Sequence, residues 1–107
     1  MSTAGTGAAP QLLRAPADGH YTLQGDLTLA TVAPLREQGR AAFAHGNGAI
    51  VVDLGQVGRA DSGGLALLVD WLSWAQAAHR ELRFTALPAA LLALARLSDV
   101  EDLLAGR

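Results

Sequence analysis

Ala49-Ile50-Val51-Val52-Asp53-Leu54-Gly55-Gln56-Val57-Gly58-Arg59-Ala60-Asp61-Ser62-Gly63-Gly64-Leu65-Ala66-Leu67-Leu68-Val69 is the stretch that decides the fold. Ala49 to Val52 is apolar without polar alternation, the pattern of a strand covered on both faces. Gly55 and Gly58 are expected to end that strand, with Val57 the one loop residue that returns to the core. Asp61 and Ser62 stand where a helix needs a cap, because either side chain can accept from the free amides of a first turn. A long apolar helix pattern then begins at Leu65.

Gly63 and Gly64 fall in the first turn of that helix, where each is about 0.5–1 kcal/mol worse than alanine. Alanine is abundant in this chain, so something favours a bare backbone at the helix start. Two functional reasons are available: close approach of a partner chain, or amides left open to an anion at the positive end of the helix dipole. The structural alternative is tight packing of the loop itself. Arg59 lies beside this helix start and completes the candidate docking edge with Asp61, Ser62, Gly63 and Gly64.

Working outward, the helix is expected from Ser62 to about His79. Leu65, Leu68, Val69, Leu72, Ala75 and Gln76 share one face, and Leu67, Trp71, Trp74 and Ala78 an adjacent one. Only Ala66, Asp70, Ser73 and Ala77 form a wedge that must be wet. An apolar arc of about 220° is roughly twice what a helix lying on one surface needs. The helix therefore touches a sheet and also a neighbouring helix or a partner, which makes Trp71 and Trp74 candidate interface residues.

Before the central strand, Gln11 to Arg14 and Tyr21 to Leu27 read as strands, joined by a hairpin turn at Asp18-Gly19. Thr31 to Ala44 reads as a helix with Thr31 as N-cap, Pro34 in its first turn, and Val32, Leu35, Ala42 and Phe43 on one face. After the long helix come a strand over Glu81 to Ala86 and a leucine-rich helix beginning at Pro88. A short helix from Val100 to Ala105 follows, capped by Asp99. The fold expected is α/β, a mixed sheet of about four strands with helices packed on one face.

With 50% hydrophobic and 17% charged residues among 107, the chain is expected to be one packed domain, residues 11–107, after a flexible tail over residues 1–10. A net charge of −2 without a basic run argues against nucleic acid as the main ligand. Cysteine is absent, and His20, His45 and His79 lack metal-ligand spacing, so no metal site and no cofactor is expected. The N-terminal residues lack the charged and apolar regions of a secretory signal, and the longest apolar run, Ala86 to Ala95, is about half a membrane span. A soluble, cytoplasmic protein is expected.

Enzyme signatures are missing: the Gly55 to Gly64 loop carries no Gly-Lys-Ser/Thr, and Ser62 has no histidine at a known nucleophile spacing. No catalysis is expected. The segment Val51 to Leu68 resembles instead the signature of STAS domains, the fold of anti-sigma factor antagonists and related regulatory modules. Three pieces are similar to the Mla-type STAS subunit of the phospholipid-transporting ABC complex at the bacterial inner membrane. They are Gly25-Asp26-Leu27-Thr28, the run from Asp61 to Leu72, and the run from Leu87 to Leu97. That resemblance implies a regulatory or assembly subunit, peripheral at the inner membrane, bound to the cytoplasmic ATPase of a system maintaining outer-membrane lipid asymmetry. The alternative it implies is an anti-sigma factor antagonist, with Ser62 phosphorylated by an anti-sigma factor kinase. His79-Arg80-Glu81 departs from the glycine that many STAS domains have between helix and strand.

Overall fold

The computed structural model describes residues 9–104; the rest of the expected tail, residues 1–8, and residues 105–107 lie outside the described residues. A four-stranded sheet in the order β1-β2-β3-β4 forms the frame. β1 (Gln11–Arg14) and β2 (His20–Leu27) pair antiparallel, whereas β3 (Ile50–Ala60) is parallel to both β2 and β4 (Leu82–Thr85). α1 (Ala33–Ala44) and α2 (Ser62–Ala77) lie in the two crossovers, and α3 (Ala89–Leu97) and α4 (Glu101–Leu104) follow. This is the mixed α/β arrangement the sequence predicts.

Alternation builds the core on one face. Tyr21, Leu23, Ile50, Val52, Leu54, Leu82 and Phe84 are buried, and the intervening Thr22, Val51, Asp53, Arg83 and Thr85 are half-buried or exposed. Val51 therefore corrects the reading of Ala49 to Val52 as covered on both faces: it is an apolar residue on the open face, and it hides the period of two. The strand also continues past Gly55 and Gly58 to Ala60, because β2 keeps pairing with it through register shifts at Thr22/Gln24 and Gly25/Leu27. Val57 is packed against the core, as expected.

The hairpin turns at Gly19, which has φ +75° and where a Cβ would collide with the carbonyl oxygen of Ala49. α1 begins at Ala33 rather than Thr31, and its N-cap Val32 offers no side-chain bond. Thr31 is engaged elsewhere: its hydroxyl donates to the Asp26 carbonyl at 2.7 Å and accepts from the Thr28 amide at 2.9 Å.

α2 and α3 end alike. The Arg80 amide reaches Ala75 O and the His79 amide reaches Gln76 O, while Val100 reaches Ala95 O and Asp99 reaches Arg96 O. Both are Schellman closures, with His79 (φ 56°) and Asp99 (φ 61°) in the left-handed position. Hence α2 stops at Ala77, short of His79, and Asp99 closes α3 instead of capping α4. A glycine is the natural occupant of such a position, which is what the departure at His79 from the STAS pattern concerns. His79→Gly is expected to stabilise the fold by about 0.5–1 kcal/mol, the relief of left-handed strain less the entropy glycine adds to the unfolded chain. A higher urea midpoint at unchanged slope checks this; a lower midpoint would give the imidazole a structural task of its own.

The broad apolar arc of α2 is used within the chain. The helix packs on the sheet and touches both α1 and α3. Trp71 is 0% exposed and donates from Nε1 to the Arg36 carbonyl at 3.3 Å. Phe43 meets Tyr21 and Trp71 edge-on, each with ring centroids 5.2 Å apart, and Trp74 at 5.9 Å and a tilt of 49°. Asp70, assigned to the wet wedge, is held by Arg40 of α1 at 2.7 Å.

Candidate functional site

The site is the start of α2, where the end of β3, the loop after β2 and the helix meet. Asp61 is its organising residue. One carboxylate oxygen accepts from the Gly63 amide at 2.7 Å, capping the helix, and the same oxygen accepts from the Leu29 amide at 3.1 Å. Residues 32 apart in sequence are thereby tied together. Of the two capping candidates, Asp61 does the work; Ser62 is the first residue of the helix, is exposed, and its hydroxyl makes no hydrogen bond among the described residues.

The two glycines face inward, onto the chain's own backbone. A Cβ on Gly63 would stand 2.5 Å from Leu29 N and 2.8 Å from the Thr28 carbonyl carbon. On Gly64 it would stand 2.8 Å from Leu27 O and 2.9 Å from Leu27 Cβ. Both glycines are buried, so the bare backbone serves close packing of the helix start on the chain's own β2–α1 loop. Trp71 is completely buried in the chain, and Trp74 is half-buried against Phe43.

What remains at the surface is Ser62, the side chain of Arg59, and a residue that sequence reasoning missed, Leu29, 73% exposed. The Arg59 amide donates to Asp26 Oδ1 at 2.9 Å, which fixes the strand end that carries it. No periodicity marks Leu29, because it lies in the loop between β2 and α1. The signal for it is indirect: glycine at position 63 implies that some backbone passes against the helix start, and the backbone is that of Thr28 and Leu29. The arrangement offers an exposed hydroxyl, a cation and an apolar knob, and it brings no base to the hydroxyl. No group of three or more acidic, histidine or cysteine side chains that could hold a metal exists among the described residues.

A mixed four-stranded sheet with helices, carrying an Asp-Ser pair at the start of its second helix, is the STAS-type α/β fold. The solved structure of the anti-sigma factor antagonist SpoIIAA in its unphosphorylated form matches with a TM-score of 0.67 and 17% identity, over 87% of this chain and 83% of that one. The chain belongs to the family described as "Mlab, STAS domain", whose model matches residues 11–105. No curated protein matches it in sequence. No helix among the described residues is long and apolar enough to cross a membrane.

Proposed function

We propose that this chain is a non-catalytic subunit that binds the cytoplasmic ATPase of an ABC-type phospholipid transport system maintaining outer-membrane lipid asymmetry. In that role it sits at the inner membrane only through its complex, with no cofactor and no metal. Ser62, Arg59 and Leu29 form the docking edge, and Asp61 holds that edge in shape. The observation that carries the reading is the pinning of exposed Leu29 beside exposed Ser62 by the Asp61 carboxylate. The family description, which names Mlab, supports the transporter partner. A pull-down from native cells is expected to recover an ABC-type ATPase, and the purified chain is expected not to turn over ATP. Recovery of an anti-sigma factor kinase without an ATPase would favour a second reading.

That second reading is an anti-sigma factor antagonist switched by phosphorylation of Ser62. It is supported by the fold of SpoIIAA and by the free, exposed Ser62 hydroxyl at a helix start. A phosphoryl group appearing on Ser62 when the chain meets that kinase and ATP is its test.

Ser62 variants probe the docking edge under either reading. Because Asp61 supplies the cap, Ser62→Ala should change stability by no more than about 0.5 kcal/mol. Ser62→Asp should fold equally well, since its charge lies at the favourable end of the helix dipole. In a complex the added carboxylate, beside that of Asp61, must be desolvated, and partner affinity should fall at least about tenfold. Melting temperature and partner affinity measured on both variants check this; wild-type affinity in Ser62→Asp would place the docking edge elsewhere.

A further inference from the structure

At the opposite end of the sheet, where the parallel strands β2, β3 and β4 begin, the hairpin turn, the α1–β3 loop and the α2–β4 turn enclose a cleft of about 730 Å³. Three of the chain's eight basic side chains line it, Arg14, Arg80 and Arg83, together with two of its three histidines, His20 and His45. Asp18 is the one carboxylate in the lining, and Glu81 stands 3.8 Å from Arg83. In a chain of net charge −2 this is a local reversal of sign. We propose that this cleft binds a phosphate-bearing ligand, through the phosphate group of either a soluble phosphorylated molecule or an anionic lipid headgroup.

One of the cations is placed, not merely near. Arg80 is fixed by two backbone carbonyls, its Nε donating to Gly48 O and its Nη1 to Phe43 O, each at 2.8 Å. Only two of the five N–H donors of a guanidinium are used in this way. His20, Val51 and Arg83 are register partners in adjacent strands, so they form one row across the open face of the sheet. Neighbouring strands are about 4.8 Å apart, which puts the backbones of His20 and Arg83 roughly 10 Å apart on either side of Val51. Arg83 meets Glu81 only loosely, at 3.8 Å, with 61% of its own side chain exposed. Guanidinium groups bind phosphate oxygens in pairs, and planar donors held in advance lose little freedom on binding. The size is that of a small-ligand site. Arg80 also ties down the Phe43 and Gly48 carbonyls, whereas among the described residues Arg14 has no such contact and Arg83 only the loose one to Glu81.

The test is amide chemical-shift mapping of the whole chain at constant ionic strength, with inorganic phosphate and tripolyphosphate in one arm. Phosphatidylglycerol vesicles form the other arm, with phosphatidylcholine vesicles as control. Saturable shifts at Gly19, at residues 45–49 and at residues 80–83 are expected. Arg14 and Arg83 are exposed, so Arg14→Gln with Arg83→Gln should keep the fold and weaken binding at least about tenfold. Asp18→Asn, which removes the lining carboxylate, should tighten binding a few-fold. Saturation by the soluble phosphates assigns a soluble ligand; binding to phosphatidylglycerol alone, lost in the double variant, assigns a headgroup. No saturable shift in either arm, shifts confined to the Ser62 end, or affinity unchanged in both the double variant and Asp18→Asn would overturn the proposal.

Discussion

Trp71→Ala is expected to remove about 3–5 kcal/mol of stability. The side chain is fully buried, meets Phe43 edge-on and covers Gly39, where a Cβ would collide with the indole. α1 and α2 are therefore fitted around this one ring. Against the roughly 5–15 kcal/mol that holds a domain together, the loss leaves it marginal. Trp74→Ala, at a half-buried position with a more distant and tilted contact, should stay within the about 0.5–3 kcal/mol of an ordinary substitution. Urea unfolding of the two variants checks the contrast, and equal losses would contradict the assignment of Trp71 alone to the core.

Gly63→Ala is expected to cost about 1–3 kcal/mol although alanine is the better helix former. The added methyl meets Leu29 N, Leu29 Cα and the Thr28 carbonyl carbon, all backbone atoms that cannot swing aside as a side-chain tip would. Helix propensity returns at most about 1 kcal/mol of that cost. Relief comes only by moving the loop, which lengthens the bond from the Leu29 amide to Asp61 and displaces the exposed leucine. Partner affinity should then fall at least about tenfold even where the variant remains folded, whereas Ala66→Gly, at an exposed position one turn on, should lose only helix propensity. Denaturation and affinity measured on the two variants separate these effects; full affinity in a folded Gly63→Ala would release Leu29 from the docking edge.

The strands were most legible where polar and apolar residues alternate. Leu82, Phe84 and their neighbours declare β4, and Tyr21 and Leu23 declare β2. β3 resisted because Val51 puts an apolar residue on the open face, and because its continuation through Gly55 and Gly58 depends on pairing with β2, which no local pattern contains. The helix start was read to within one residue: Asp61 and Ser62 are equally good caps in sequence, and the choice falls to Asp61, whose carboxylate also accepts from the distant Leu29 amide. Two adjacent glycines signalled that something comes close without saying what. Trp71 and Trp74 lie three positions apart on one stripe, and the indole-sized space above Gly39 decides which is sealed. The basic cleft was invisible, since Arg14 on one edge strand and Arg80 and Arg83 at the other line one hollow only in the folded chain.

Both tryptophans sit in the aromatic cluster under α1, and Trp71 is nine positions along the helix from Ser62. That separation is about 13 Å at 1.5 Å per residue. Intrinsic fluorescence of this protein is thus a sensor of the α1–α2 seam and not of the proposed docking edge. Its emission should shift to the red on unfolding, while a partner seated only on Ser62, Arg59 and Leu29 should leave it unchanged. A spectral change on adding a partner would therefore mean that the two helices have moved against each other. The seam so becomes a built-in gauge of whether association is a rigid docking or a rearrangement.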